Sequence, residues 1–108
     1  MRLFGLKTCD TCRKAEKALR AGGYAPDIVD VRADGVAPQD MARFLDRFGD
    51  DLVNRRSTTW RNLDDARRAR DPAALLAAHP TLMKRPVIEH DGQLHLGWTA
   101  EVQRALLG

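Results

Sequence analysis

A chain of 108 residues, 44% hydrophobic and 31% charged, is long enough for one soluble domain with its own core, and no apolar run approaches the length that spans a bilayer. Its net charge of +3, with a pI near 9.2, argues against a nucleic-acid binder: the basic residues are interleaved with Asp and Glu, and aromatic residues are only 6% of the chain. A strand predicted at the first residues leaves no room for a signal peptide. A cytoplasmic, monomeric protein is therefore expected, and there two close cysteines point to catalysis, redox sensing or metal binding before a structural staple.

In chain order, Arg2 to Leu6 reads as a strand. Thr11 to Gly22 reads as a helix, with Cys12, Ala15, Ala18 and Leu19 on one face and Gly22-Gly23 as its stop. Ala25 to Val31 is the second strand, followed by a turn at Asp34-Gly35. Strand, helix, strand makes a βαβ unit with parallel strands. Pro38 opens a helix whose Met41, Phe44, Leu45 and Phe48 share a face and which Gly49 ends. A short helix is predicted over Asp51 to Asn54, a loop over Arg55 to Trp60, and helices over Leu63 to Arg70 and Pro72 to Ala78. Val87 to His90 and Gln93 to Leu96 pair through the Asp91-Gly92 hairpin turn. Thr99 caps a last helix over Ala100 to Leu107, with Val102, Ala105 and Leu106 facing inward. The order is that of an α/β thioredoxin-like (glutaredoxin-like) fold. A single domain over 1–108 is expected, with a helical insert at about 38–80 between its βαβ and ββα halves.

The chemistry centres on Cys9-Asp10-Thr11-Cys12, the only two cysteines, placed where the first strand meets the first helix. A thiol there lies at the positive end of the helix dipole, which favours the reactive thiolate. Cys12, one turn on, is close enough for a disulfide. Cys9 then reads as the attacking thiol and Cys12 as the resolving thiol or the partner in an oxidation switch. A nearby arginine would favour the thiolate further. Helical geometry turns Arg13 to solvent, leaving Arg55, Arg56 and Arg85 as candidates. In thioredoxin-like folds the proline at the start of the third strand is usually cis and faces the redox cysteine, which makes Pro86 that residue and carries Arg85 into the pocket. Thr8 and Asp10 are expected either to cap the helix or to line the site.

Bland readings compete with these. Two small buried hydrophobes would explain the cysteines. Zinc is a further reading, since His90 and His95 have ligand-like spacing, but they lie far in sequence from the cysteines on either side of a hairpin turn. No metal site is expected. Trp60 and Trp98 read as packing residues, and the charges from Asp64 to Asp71 as a solvated helix face.

Three blocks, Cys9 to Ala15, Asn54 to Leu63 and Lys84 to Ile88, resemble the glutaredoxin-like arsenate reductase family. That family contains the ArsC enzymes, the Spx transcriptional regulators and short ArsC-like proteins. Gly97-Trp98 resembles the Gly-aromatic pair of the last two groups. The resemblance implies a nucleophile at Cys9 and oxyanion-binding arginines at Arg56 and Arg85. It implies glutathione as a co-substrate, with glutaredoxin or thioredoxin as a partner and no bound cofactor. Two departures matter. A third active-site arginine of ArsC falls near Gly97 here, and no arginine stands between Val87 and Ala100. ArsC enzymes generally lack a cysteine at the Cys12 position, whereas Spx regulators have one.

Two functions follow. One is a glutathione-linked thiol reductase acting on a small oxyanion such as arsenate or on a mixed disulfide. There Cys9 attacks, Cys12 or glutathione resolves, and Arg56, Arg85, Thr8 and Pro86 line the substrate site. The other is an Spx-like regulator that docks on RNA polymerase with Cys9 and Cys12 as its switch. Spx chains usually run longer after the last helix, which favours the enzyme.

Overall fold

Strand β1 (Arg2–Gly5) is an interior strand of a four-stranded sheet of order β2-β1-β3-β4 in the computed structural model, which describes residues 1–108. Helix α1 (Asp10–Ala21) crosses over to β2 (Asp27–Asp30), so β1 and β2 pair in parallel. Strand β3 (Val87–His90) runs antiparallel to β1, and β4 (Gln93–Leu96) antiparallel to β3. The turn between them is Asp91-Gly92, both with positive φ, as a tight hairpin turn demands.

Register explains how this sheet builds a core. Leu3 stands opposite both Ile28 and Ile88, so all three side chains share one face. Cys12, Ala15 and Leu19 of α1 pack there, with Val102 and Leu106 of the final helix (Ala100–Leu107). The Thr99 hydroxyl caps that helix, accepting from the Val102 N–H at 3.2 Å. Tyr24 ties its far end, donating to the Leu106 carbonyl at 2.6 Å. On the register pair Arg2 and Glu89 the side chains form an ion pair at 2.8 Å.

The chain divides into two compact units, Met1–Asp34 with Arg85–Gly108, and Gly35–Lys84. The first carries the sheet, α1 and the final helix. The second is helical: α2 (Pro38–Phe48), a 3-10 turn (Gly49–Leu52), α3 (Thr58–Arg61), α4 (Asp65–Arg68), α5 (Pro72–Ala78) and a second 3-10 turn (Pro80–Leu82). The final helix is accordingly α6. Phe44, Leu52, Leu75, Leu76, Leu82 and Met83 are buried within the second unit. Backbone bonds from Asn54 N–H to Leu82 O (2.8 Å) and from Lys84 N–H to Leu52 O (2.7 Å) flank a bridge between Val53 and Met83.

The observed strand, helix and insert order is the expected thioredoxin-like α/β fold. Several local expectations need correction. The predicted loop at Arg55 to Trp60 contains the start of α3, because the Ser57 hydroxyl accepts from the Trp60 N–H at 3.1 Å and nucleates a turn. The short helix predicted over Asp51 to Asn54 lies earlier, as the 3-10 turn Gly49–Leu52. The helix predicted over Leu63 to Arg70 is only α4, capped by Asp64. Ala105 is exposed, since only Val102 and Leu106, one turn apart, can share the inward face of so short a helix.

Candidate active site

The site grows from the turn that joins β1 to α1. The Cys9 N–H donates to the Leu6 carbonyl at 3.1 Å, closing the turn. Cys9 then takes the N-cap position of α1 in extended conformation, and its carbonyl receives the Arg13 N–H at 3.0 Å. No side chain caps this helix. Thr8 and Asp10, expected either to cap this helix or to line the site, do not cap it: Thr8 is exposed, and Asp10 pairs with Arg13 at 2.6 Å on the solvent side. With the cap position held by a cysteine, the first-turn amides of α1 are left to its sulfur.

Electrostatics separates the two thiols. Burial opposes ionisation of Cys9, but the backbone N–H of Cys12, the Cys12 thiol and the Arg85 guanidinium all favour its thiolate, so its pKa is held below the ordinary thiol range. For Cys12 burial dominates. The Leu6 backbone N–H favours ionisation and the adjacent Cys9 opposes it, and the pKa is pushed up to about 12. Both cysteines are free thiols, Cys9 half-buried and Cys12 buried. Arg13 is largely exposed, as expected.

Pro86 is buried at the start of β3 and the Arg85–Pro86 peptide is cis. Its carbonyl accepts the N–H of Gly97 at 2.8 Å. Gly97 has φ +80 and is buried, a conformation that favours glycine. Gly97, where the resemblance to ArsC would place a third arginine, is therefore a backbone turn in this chain.

Cys9, Cys12 and Arg85 thus come together within the first unit, with the buried cis Pro86 next to Arg85 in the chain. Arg56 belongs to the second. It is exposed, and beside Arg55, Lys84, Asp50 and Asp51 it lines a polar cleft of about 530 Å³. Arg55 also places its guanidinium 5.4 Å from the centre of the Trp60 ring. Arg68 lies 5.7 Å from the same ring and donates to the Trp60 and Arg61 carbonyls. Trp60 is therefore a packing residue, as its sequence setting suggests. His90 meets the Tyr24 ring edge-on at 5.1 Å.

Two residues of the site escape sequence reasoning. A Cβ placed on Gly5 would meet the Cys12 sulfur at 2.6 Å and its Cβ at 3.2 Å, so glycine there makes room for the second thiol. Asp30, at the end of β2, accepts from the N–H groups of Ala33 (2.8 Å) and Arg32 (2.9 Å). Those bonds, with smaller help from nearby Lys7, lower its pKa and fix the turn that follows β2. The sequence signal for Asp30 was available: an aspartate followed within four residues by Asp34-Gly35 is a side-chain-stabilised turn.

The sequence model described as the ArsC family matches residues 4–106. An uncharacterised protein of Haemophilus influenzae is 39% identical over 108 residues, covering 95% of each chain. A solved protein named YFFB is 34% identical with a TM-score of 0.88, covering 99% of this chain and 98% of its own. An arsenate reductase (ArsC) related protein from Brucella melitensis is also 34% identical, with a TM-score of 0.73 and coverage of 96% and 91%. An arsenate reductase from Vibrio cholerae shares the fold at 19% identity and a TM-score of 0.76, covering 99% of this chain and 98% of its own.

Proposed function

Because this chain belongs to the ArsC family, we propose that it is a thiol-dependent reductase with Cys9 as nucleophile and glutathione as co-substrate. The observation that carries the reading is the opposed acidity of the two thiols: Cys9 lowered by the Cys12 N–H and Arg85, Cys12 raised by burial. A thiolate attacks a sulfur or an oxidised oxyanion, and a neighbouring thiol that stays protonated does not compete for that role. In this reading Cys12 closes onto Cys9 and releases the bound group. Arg85 neutralises charge at the reacting sulfur, and Pro86 and Thr8 border the substrate. Glutaredoxin or thioredoxin would return the oxidised pair to thiols.

The preferred substrate class is a mixed disulfide with glutathione. Cys12 and the absence of an arginine at Gly97 both favour disulfide chemistry over a bare oxyanion such as arsenate. A coupled assay with glutathione, glutaredoxin, glutathione reductase and NADPH tests this, arsenate and a glutathione mixed disulfide being offered separately. Cys9-dependent NADPH loss with the mixed disulfide is the expected outcome. Loss with arsenate alone would move the assignment to arsenate reduction. Turnover that survives Cys9→Ser would remove Cys9 from the chemistry.

The second reading, an Spx-like switch, is favoured by one observation, the placement of Cys12 beside Cys9 in the same core cluster. It predicts retention of RNA polymerase on the immobilised protein in one redox state only, and silence in the turnover assay.

A further inference from the structure

Beside Cys12 a cleft of about 180 Å³ opens in the first unit, floored by Leu3 and Leu6 and rimmed by Lys7, Arg13 and Glu16. Glu16 stands four residues after Cys12 on α1, so the two share a face one turn apart. It is half-buried, unlike its neighbours Lys14 and Lys17. Its carboxylate is also held in place: Arg20 donates to it at 3.0 Å and to the Pro26 carbonyl at 3.3 Å. We infer that Glu16 accepts the proton of the Cys12 thiol, through water in this cleft, when Cys12 attacks the mixed disulfide on Cys9.

The inference rests on the proposed role of Cys12 as resolving thiol. The Cys12 sulfur is crowded on one side by the Gly5 backbone, and the cleft is where it meets a space wide enough for water. A water takes about 30 Å³ in the liquid, so a short chain fits. The charged or titratable groups that face Cys12 are Cys9 in the turn, Arg85 before β3, and Lys7, Arg13 and Glu16 around the cleft. Once Cys9 is in a disulfide it carries no charge. Arg85 then favours the Cys12 anion, and Glu16 is the one carboxylate that lines the cleft.

The step balances. The Cys12 proton passes through water to Glu16, and the Cys12 sulfur forms a bond to the Cys9 sulfur. The bond from Cys9 to the bound thiol breaks and takes its electron pair with it. The leaving sulfur keeps that pair, so the bound thiol is reduced and takes a proton from solvent; Cys12 is oxidised, and Cys9, already at the disulfide level, exchanges its bound partner for Cys12.

An aromatic disulfide with a coloured leaving thiolate (dithionitrobenzoate) reads both steps in a stopped-flow experiment: one thiolate leaves when Cys9 attacks, a second when Cys12 closes. In Glu16→Gln the ratio of the second rate to the first is expected to fall about a hundredfold or more, the lower end of what a general base supplies. The deficit should shrink as pH rises and hydroxide takes over, and Glu16→Asp should recover part of it. A ratio equal to the parent protein's at every pH, or a deficit that does not change with pH, would overturn the role of Glu16. Cys12→Ser checks the premise separately. It should release one thiolate, and release of two would overturn Cys12 as resolving thiol whatever Glu16 does.

Discussion

Cys9 and Cys12 sit one helical turn apart, yet their surroundings push their acidities in opposite directions. The cause is local. Cys9 occupies a cap position with an amide and a guanidinium facing it, while Cys12 is 4% exposed and offered mainly desolvation. Alkylation by iodoacetamide should therefore modify Cys9 with a midpoint below the ordinary thiol range and leave Cys12 untouched near neutral pH, as mass spectrometry of the labelled peptide would read. Arg85→Ala should move the Cys9 midpoint upward; an unmoved profile would take Arg85 out of the site. The same shifts set how stability follows pH. Cys9 has a folded-state pKa below its unfolded one, so its contribution is fully present above the ordinary thiol range. That contribution is lost as pH falls through the depressed value. Cys12 behaves in reverse, its contribution present below the ordinary range and lost as pH rises toward about 12. Gly5 has a measurable role too. Gly5→Ala forces a methyl group against the Cys12 sulfur and should destabilise the protein by about 1–3 kcal/mol in urea titrations.

At the scale of elements, the caps differ in kind. Four helices use a side-chain oxygen at the N-cap: Ser57 for α3, Asp64 for α4, Asp71 for α5 and Thr99 for α6. Helix α1 alone carries a cysteine there, which is the price of exposing its first amides to a reacting sulfur. Ser57→Ala should weaken α3 by about 1 kcal/mol. Amide exchange at Trp60 and Arg61 should quicken about fivefold if that loss is local, since about 1.4 kcal/mol is tenfold. Tyr24→Phe removes the bond to the Leu106 carbonyl and should cost about 1 kcal/mol, seen as faster exchange at the end of α6. Which elements were legible in the sequence follows from their length. Helix α1 has three turns, so Cys12, Ala15 and Leu19 announce its buried face. The hairpin is announced by Asp91-Gly92 alone. Helices α3 and α4, of four residues each, are too short for any periodicity, and only their caps betray them. Ala105 was misplaced because small apolar residues fit either face of a helix, and spacing from Val102 decides the matter.

For the whole molecule, the order of elements was readable because each half of the sheet carries its own signal, a βαβ at the start and a turn-linked pair at the end. Proximity between distant segments was not readable from composition or spacing. Arg85 meets Cys9 because β3 pairs with β1, with Val87 opposite Phe4, a register that no local pattern states. That central pairing is also where the first unit is most sensitive. Ile88 is fully buried between Leu3 and the α1 and α6 side chains. Ile88→Ala should cost about 2–5 kcal/mol, a drop in urea midpoint far larger than that of any cap variant. No helix is long and apolar enough to cross a membrane.

The close approach of Gly5 to Cys12 has an evolutionary corollary. With the sulfur in place, a methyl group at position 5 collides at 2.6 Å; without it, the nearest contact is the Cβ at 3.2 Å. The two positions should therefore show epistasis: a lineage that gives up the second thiol relaxes selection on the glycine, and one that loses the glycine first is driven to shed the thiol.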